Sequence, residues 1–297
     1  MHNRVKHLGF LLIALMVALV PNSLLAEGEK EEREGGIIGT GIVGTITELG
    51  SIIVNAQRVT FEADDMAVSA LGDRPAADLR PGETVIVAAY PKGANWQAQT
   101  IEVFYPVIGP VDLTDGAISV MGTGIDVQNL DAASQRVLGS LRTGDWIAVN
   151  GLWKDARVQA STVSAISPTK ARISGSFMQV GASRFVIGET VVAGLDIKHA
   201  EMGDMVSVSG EVRDGGIAAE SVRIGLFSTP MRSILIEGYL STPDSQGVYT
   251  VLGSGFVAFT DDPAMAMPSE VQVFCIKPQA DLRSGVITPH AGGFDCQ

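Results

Sequence analysis

Met265-Ala266-Met267 puts two thioethers two positions apart, so on an extended segment both face the same way. Soft sulfur ligands of this kind suit Cu(I). His290 and the chain's two cysteines, Cys275 and Cys296, fall in the same C-terminal stretch. Plain packing by adaptable methionine side chains is the competing reading, and Pro263 and Pro268 on either side favour a loop that plugs a gap. In an oxidising compartment an isolated cysteine pair forms a disulfide more often than it stays as two thiols. Closing the loop of about 22 residues from Cys275 to Cys296 contributes roughly 3 kcal/mol by chain entropy. The expectation is a Cys275–Cys296 bridge, with a buried free Cys275 or a soft-metal site as the alternatives.

Other candidates carry less chemistry. Gly39-Thr40-Gly41-Ile42-Val43-Gly44 satisfies the dinucleotide-binding string GxGxxG, but that string needs a strand before it and a helix after it. Here it runs directly into a strand and hairpin, so no cofactor is expected. Only His199 and His290 lie beyond the N-terminal stretch, and no Gly-x-Ser-x-Gly elbow surrounds any serine, so a hydrolase triad has no foothold. Zinc needs closely spaced His and Cys ligands, which are missing. Asp64-Asp65 and Asp261-Asp262 read as caps and turns rather than acid/base partners. Trp146 and Trp153 could anchor recognition on an outward face, although an outward Trp is more often covered by the next structural unit. The residues assign no catalytic, cofactor-binding or metal site, and the chain reads as a non-enzyme.

The start of the chain sets the compartment. A short basic stretch with Arg4 and Lys6 precedes an uncharged apolar run from Leu8 to Val20, which Pro21 breaks and Ala26 ends on a small residue. That order reads as a secretory signal peptide over residues 1–26, with an uncleaved N-terminal anchor as the alternative. The run is shorter than the roughly 20 residues of a membrane-spanning helix, and no later stretch is long and apolar enough to span, so no integral membrane span is expected in the mature chain. The protein is expected in the periplasm or secreted. Residues 27–36 (EGEKEEREGG) read as a solvated acidic linker. The net charge is −12, and more negative once Arg4 and Lys6 leave with the signal. Such a polyanion repels phosphate backbones and anionic lipid, which argues against nucleic acid as a partner.

Three pieces recur along the rest of the chain. The first is apolar-x-Gly-x-apolar, at Ile42 to Ile46, Val107 to Val111, Ile173 to Phe177 and Ile236 to Leu240, with its glycines about 65 residues apart. The second is a turn and an alternating strand. Gly82-Glu83-Thr84-Val85-Ile86-Val87-Ala88-Ala89 matches Gly144 to Gly151 and Gly203 to Gly210. Pro268 to Cys275 keeps two valines, Val271 and Val273, in the last copy. A period of two puts Val85 and Val87 on one face. The small residues Ala89, Gly151 and Gly210 suit a strand that bends at a barrel corner. The third piece closes each unit at Ala98 to Ile101, Ala160 to Val163 and Ala219 to Val222, with no clean equivalent in the last copy. Hairpin turns are expected at Asn55-Ala56, Asp115-Gly116, Met121-Gly122, Gly181 and Gly188, and Asp131 caps a short helix bearing Val137, Leu138 and Leu141.

The fold expectation is all-β: a tandem array of about four small five-stranded β-barrels of oligonucleotide-binding (OB) type after the signal peptide. The units span residues 37–105, 106–167, 168–227 and 232–297, the last a degenerate cap, and an open sandwich is the rival. The repeated opening, the Gly-Asp/Glu-x-Val-x-Val strand and the Ala-x-Thr/Ser-Val/Ile ending resemble domain of unknown function 5666. The resemblance implies export and tandem barrels, and carries over no site residues. The functional expectation is an exported binding or scaffold component of the cell envelope whose partner protein or ligand, like its oligomeric state, the sequence does not name. The alternative is a periplasmic copper-binding protein using Met265, Met267 and His290.

Overall fold

The hairpin signals become strands almost one for one. The structure is a computed structural model that describes residues 39–180, 184–194, 200–259 and 267–278, with 284–289 described by their backbone. Strands β1 (Thr40–Glu48), β2 (Ile52–Val54) and β3 (Gln57–Thr60) form a meander. Its second turn, Asn55-Ala56, holds both residues at positive φ, as a two-residue hairpin turn of type I′ requires. A small flap of β4 (Met66–Val68) and β5 (Arg74–Pro75) follows, then β6 (Thr84–Lys92) and β7 (Asn95–Val103).

Next come β8 (Val107–Thr114), β9 (Ala117–Val120), β10 (Thr123–Asp126), helix α1 (Ala132–Leu138), β11 (Trp146–Lys154) and β12 (Arg157–Ile166). The chain continues through β13 (Ala171–Val180), β14 (Arg184–Ile187), β15 (Thr190–Ala193), β16 (Met205–Arg213) and β17 (Gly216–Ile224). It ends with β18 (Ser233–Gly238), β19 (Tyr249–Val251), β20 (Phe256–Phe259), β21 (Gln272–Pro278) and β22 (Ser284–Pro289).

Two five-stranded barrels close. One runs β8-β9-β10-β12-β11 and returns to β8, and the other runs β13-β14-β15-β17-β16 and returns to β13. In both, the third and fifth strands are parallel neighbours and the remaining pairs are antiparallel. Closure leaves no open edge within a barrel. In the other sheet, β1 pairs with β2 and β6, while β7 pairs with β6 and, in parallel, with β3. Likewise β21 pairs with β18 and β22, β20 pairs with β19 and, in parallel, with β22, and Leu240 just past β18 bridges Val251.

The repeated glycine is there for close approach. A Cβ on Gly44 would lie 2.2 Å from Asn55 Oδ1, and one on Gly109 3.0 Å from Met121 Cε. On Gly175 it would meet Ile187 and Trp153 at 2.9 Å, and on Gly238 Val251 at 3.0 Å. In every copy a side chain from the hairpin that follows fills the missing space. The small residues at the second piece also have a steric cause. The β6–β7, β11–β12 and β16–β17 registers shift at Ala88/Ala89, Asn150/Gly151 and Ser209/Gly210. There a Cβ on Gly151 or Gly210 would fall 2.1 or 1.9 Å from a carbonyl of the next strand. The predicted helix is α1, where the Asp131 carboxylate accepts from Ser134 N at 2.7 Å and Val137, Leu138 and Leu141 pack on the core.

The last copy needs two corrections. A closing strand does exist: β22 is antiparallel to β21 and parallel to β20. Val271 and Val273 are also not the counterparts of Val85 and Val87. Gly44 pairs with Val85, but Gly238 pairs with Gln272, so Phe274 and Ile276 take the inward positions and Val271 is exposed. A slip of one residue exchanges the faces of a strand, and the unbroken apolar run Phe274-Cys275-Ile276 hides it from the sequence.

β6 is buried along most of its length rather than on alternate residues. Val85, Val87 and Ala89 face the cluster inside their own strands, with Ile42, Ile46 and Trp96. Ile86 and Ala88 on the other face join a cluster with Ile234, Ile236, Phe256 and Phe274. The reason is the pairing of β1 with β18: they run parallel, Thr40 to Val43 against Ser233 to Ile236, and so join the two ends of the described chain. Ile37–Gln297 forms one compact unit.

Candidate functional site

The third run of strands turns one face inward and one outward. Ile173, Val206 and Val208 enter the core. The alternate positions carry polar groups that pair across strands: Ser174 with Ser207, Arg172 with Ser209, Ser207 with Arg223 and Ser209 with Ser221. This face therefore bears two arginines among small hydroxyls. Opposite it lie Val68 of β4 and Glu102 of β7, which are register partners whose neighbours Ala67 and Ile101 are buried.

Between the two faces is a cleft of about 350 Å³ lined by Ser69, Glu102, Arg172, Ser207, Ser221 and Arg223, among others. Arg223 donates to both oxygens of Glu102, at 2.6 and 2.7 Å. Arg172 reaches the same carboxylate only at 3.6 Å and donates from Nε to Ser174 Oγ at 3.4 Å. Burial lowers the pKa of the Arg172 guanidinium, which remains a cation. Glu102 opposes that shift and Arg223 adds to it. Ser207 is buried, and its Oγ has no hydrogen-bond partner among the described residues.

A second cleft of about 280 Å³ adjoins the first. Val68, Glu102 and Arg223 line both, and beyond them the second is lined by the apolar Ile86, Ala88, Leu226, Phe227 and Met231 together with Gln99, Thr100, Ser228 and Thr229. A more polar and a more apolar cleft thus meet at one ion pair.

The residues singled out by sequence are placed elsewhere. Met267 is 48% exposed before β21, where its carbonyl accepts from Gln272 Nε2. Cys275 is buried in β21 opposite Leu235. Met265, His199, His290, Cys296, Gly181 and Asp261-Asp262 lie outside the described residues, as do residues 1–38. The GxGxxG string runs into β1, and Asp65 closes a turn by accepting from Glu62 N. Trp146 is half-buried against the core. Trp153 is buried and donates to Ser174 O at 2.8 Å, so neighbouring strands cover it. Among the described residues no helix is long and apolar enough to cross a membrane.

Arg172, Arg223 and Glu102 escaped the sequence reading because each sits on a strand as an ordinary alternate polar residue. The available signal was the pattern Arg-x-Ser, Ser-x-Ser and Ser-x-Arg at 172–174, 207–209 and 221–223, which puts arginines and small hydroxyls on one face of three strands. Compared with protein families, curated proteins and solved structures, the chain matches none.

Proposed function

We propose that the protein is an exported, non-enzymatic binding component of the cell envelope, built as four OB-type barrels. The strand cycle of the two closed barrels, with its parallel third and fifth strands, supports the OB reading, and the parallel pairs β3–β7 and β20–β22 support extending it to the units around β1 and β18. The motif resemblance to domain of unknown function 5666 supports the same reading, as does the signal-peptide pattern. A disulfide between Cys275 and Cys296 staples the last unit.

The observation that carries the binding role is the cleft itself. Its charged groups come from separate runs of strands, Glu102 from β7 and Arg172 and Arg223 from β13 and β17. Binding sites concentrate where rigid units meet and a few polar groups converge. The test is in the native host. The full chain, expressed with a photo-cross-linking residue at Val68, is expected in the envelope fraction starting at Glu27 and forming one discrete adduct. A cytoplasmic, uncleaved chain, or no adduct at Val68, would refute the proposal.

A further inference from the structure

The charge inside the first cleft is opposite to that of the chain. Two guanidinium groups face one carboxylate there, while the whole protein carries −12. Glu102 spends both oxygens on Arg223, and Arg172 holds it only at 3.6 Å. A guanidinium offers five N–H donors in a planar fork, and among the described residues those of Arg172 make one side-chain hydrogen bond, to Ser174. A half-buried cation with so little compensation is costly unless an anion completes it. Ser207 supplies a buried hydroxyl with no partner among the described residues, on the same lining.

The nature of the anion follows from three features. One surplus positive charge matches a monoanion, whereas a dianion beside Glu102 would leave the cleft negative. A planar fork fits a carboxylate through two parallel hydrogen bonds. The adjoining cleft is apolar over most of its wall, through Ile86, Ala88, Leu226, Phe227 and Met231, and Val68, 48% exposed, lies at the junction. We propose that the paired clefts bind an amphiphilic carboxylate, a medium-chain fatty acid or similar, with its head group on Arg172 and Ser207 and its tail passing Val68 towards Phe227 and Met231. This deepens the binding role proposed above and rests on it.

The probes are octanoate, acetate and inorganic phosphate, titrated into the purified mature chain and read by calorimetry and by saturation-transfer NMR of the ligand. Octanoate is expected to bind at least tenfold more tightly than acetate or phosphate. Arg172→Met should weaken octanoate at least tenfold, and Ser207→Ala about threefold. Val68→Ser, on an exposed site that lines both clefts, should weaken octanoate clearly more than acetate. Circular dichroism of each variant reports folding, and a misfolded Arg172→Met is replaced by Arg172→Gln. Phosphate binding as tight as octanoate overturns the carboxylate assignment, and so does octanoate binding indifferent to the arginine. If octanoate fails while the Val68 adduct forms in the envelope, the ligand class falls and the binding role stands.

Discussion

The side-chain amide of Asn150 stands in for a missing strand: its Oδ1 accepts from Thr84 N at 2.6 Å, and its Nδ2 donates to Phe104 O at 2.6 Å. Asn150 belongs to β11, whereas Thr84 begins β6 and Phe104 follows β7. One buried amide thus satisfies a donor and an acceptor where two strand sets abut. A buried group left without its partner costs about 1–3 kcal/mol. Asn150→Ala is therefore expected to lower the stability of the mature chain by about 2 kcal/mol or more, read as a shift of the urea midpoint. An unchanged midpoint would show that water takes over both bonds.

Gly253 and Gly247 separate backbone strain from packing. Both have positive φ, at 73° and 77°. A Cβ on Gly247 meets nothing within 4 Å, but one on Gly253 would lie 2.0 Å from Trp153 Cδ1. Gly247→Ala is expected to cost about 1–2 kcal/mol from the left-handed backbone alone. Gly253→Ala should cost clearly more and shift the tryptophan emission, because the indole of Trp153 must move. Equal losses for the two variants would remove Trp153 from the account.

Glu237 makes stability fall as pH rises. Burial raises its pKa above the ordinary 4.5, and the hydrogen bond from Thr45 N only partly offsets this. The folded chain therefore keeps the proton to a higher pH than the unfolded chain does. Its contribution is complete below the unfolded value and is lost as pH rises through the raised, folded value. Glu237→Gln keeps an acceptor for Thr45 and cannot ionise. Relative to wild type the variant should gain stability as pH rises above the unfolded value of 4.5, and a gap that does not change with pH counts against the assignment.

Asp131 has the opposite sign. Hydrogen bonds from Ser134 lower its pKa below 3.8, so its contribution is present above that value and fades as pH falls through the lowered one. Asp131→Ala is expected to cost about 1 kcal/mol as a lost N-cap near neutrality, and less in strong acid. Asp131→Asn, which still caps, should recover most of the loss and flatten the pH dependence.

The cysteine pair is tested by counting thiols. Denatured mature chain is expected to show no titratable thiol until reductant is added. Replacing both Cys275 and Cys296 with Ser is expected to cost roughly 3 kcal/mol if chain entropy dominates. Two free thiols in the untreated chain would end the proposal of a bridge.

Local pattern was enough to determine the small β-barrels. Turn residues at Asn55-Ala56, Asp115-Gly116 and Met121-Gly122, period-two apolar strands and the Asp131 cap all act over a few residues, so the sequence displays them directly. The repeated glycines were legible as a motif, but what fills them, Asn55 at one and Trp153 at another, comes from the tertiary structure. So does the register of β21, because an unbroken apolar run fits either face. The parallel pairing of β1 with β18 and the meeting of Glu102 with Arg172 and Arg223 join residues far apart in the chain, and no spacing rule encodes such pairs. Backbone hydrogen bonds between strands look alike in every register. What decides among them is which side chains pack in the space between, and that space exists only once the barrels have folded.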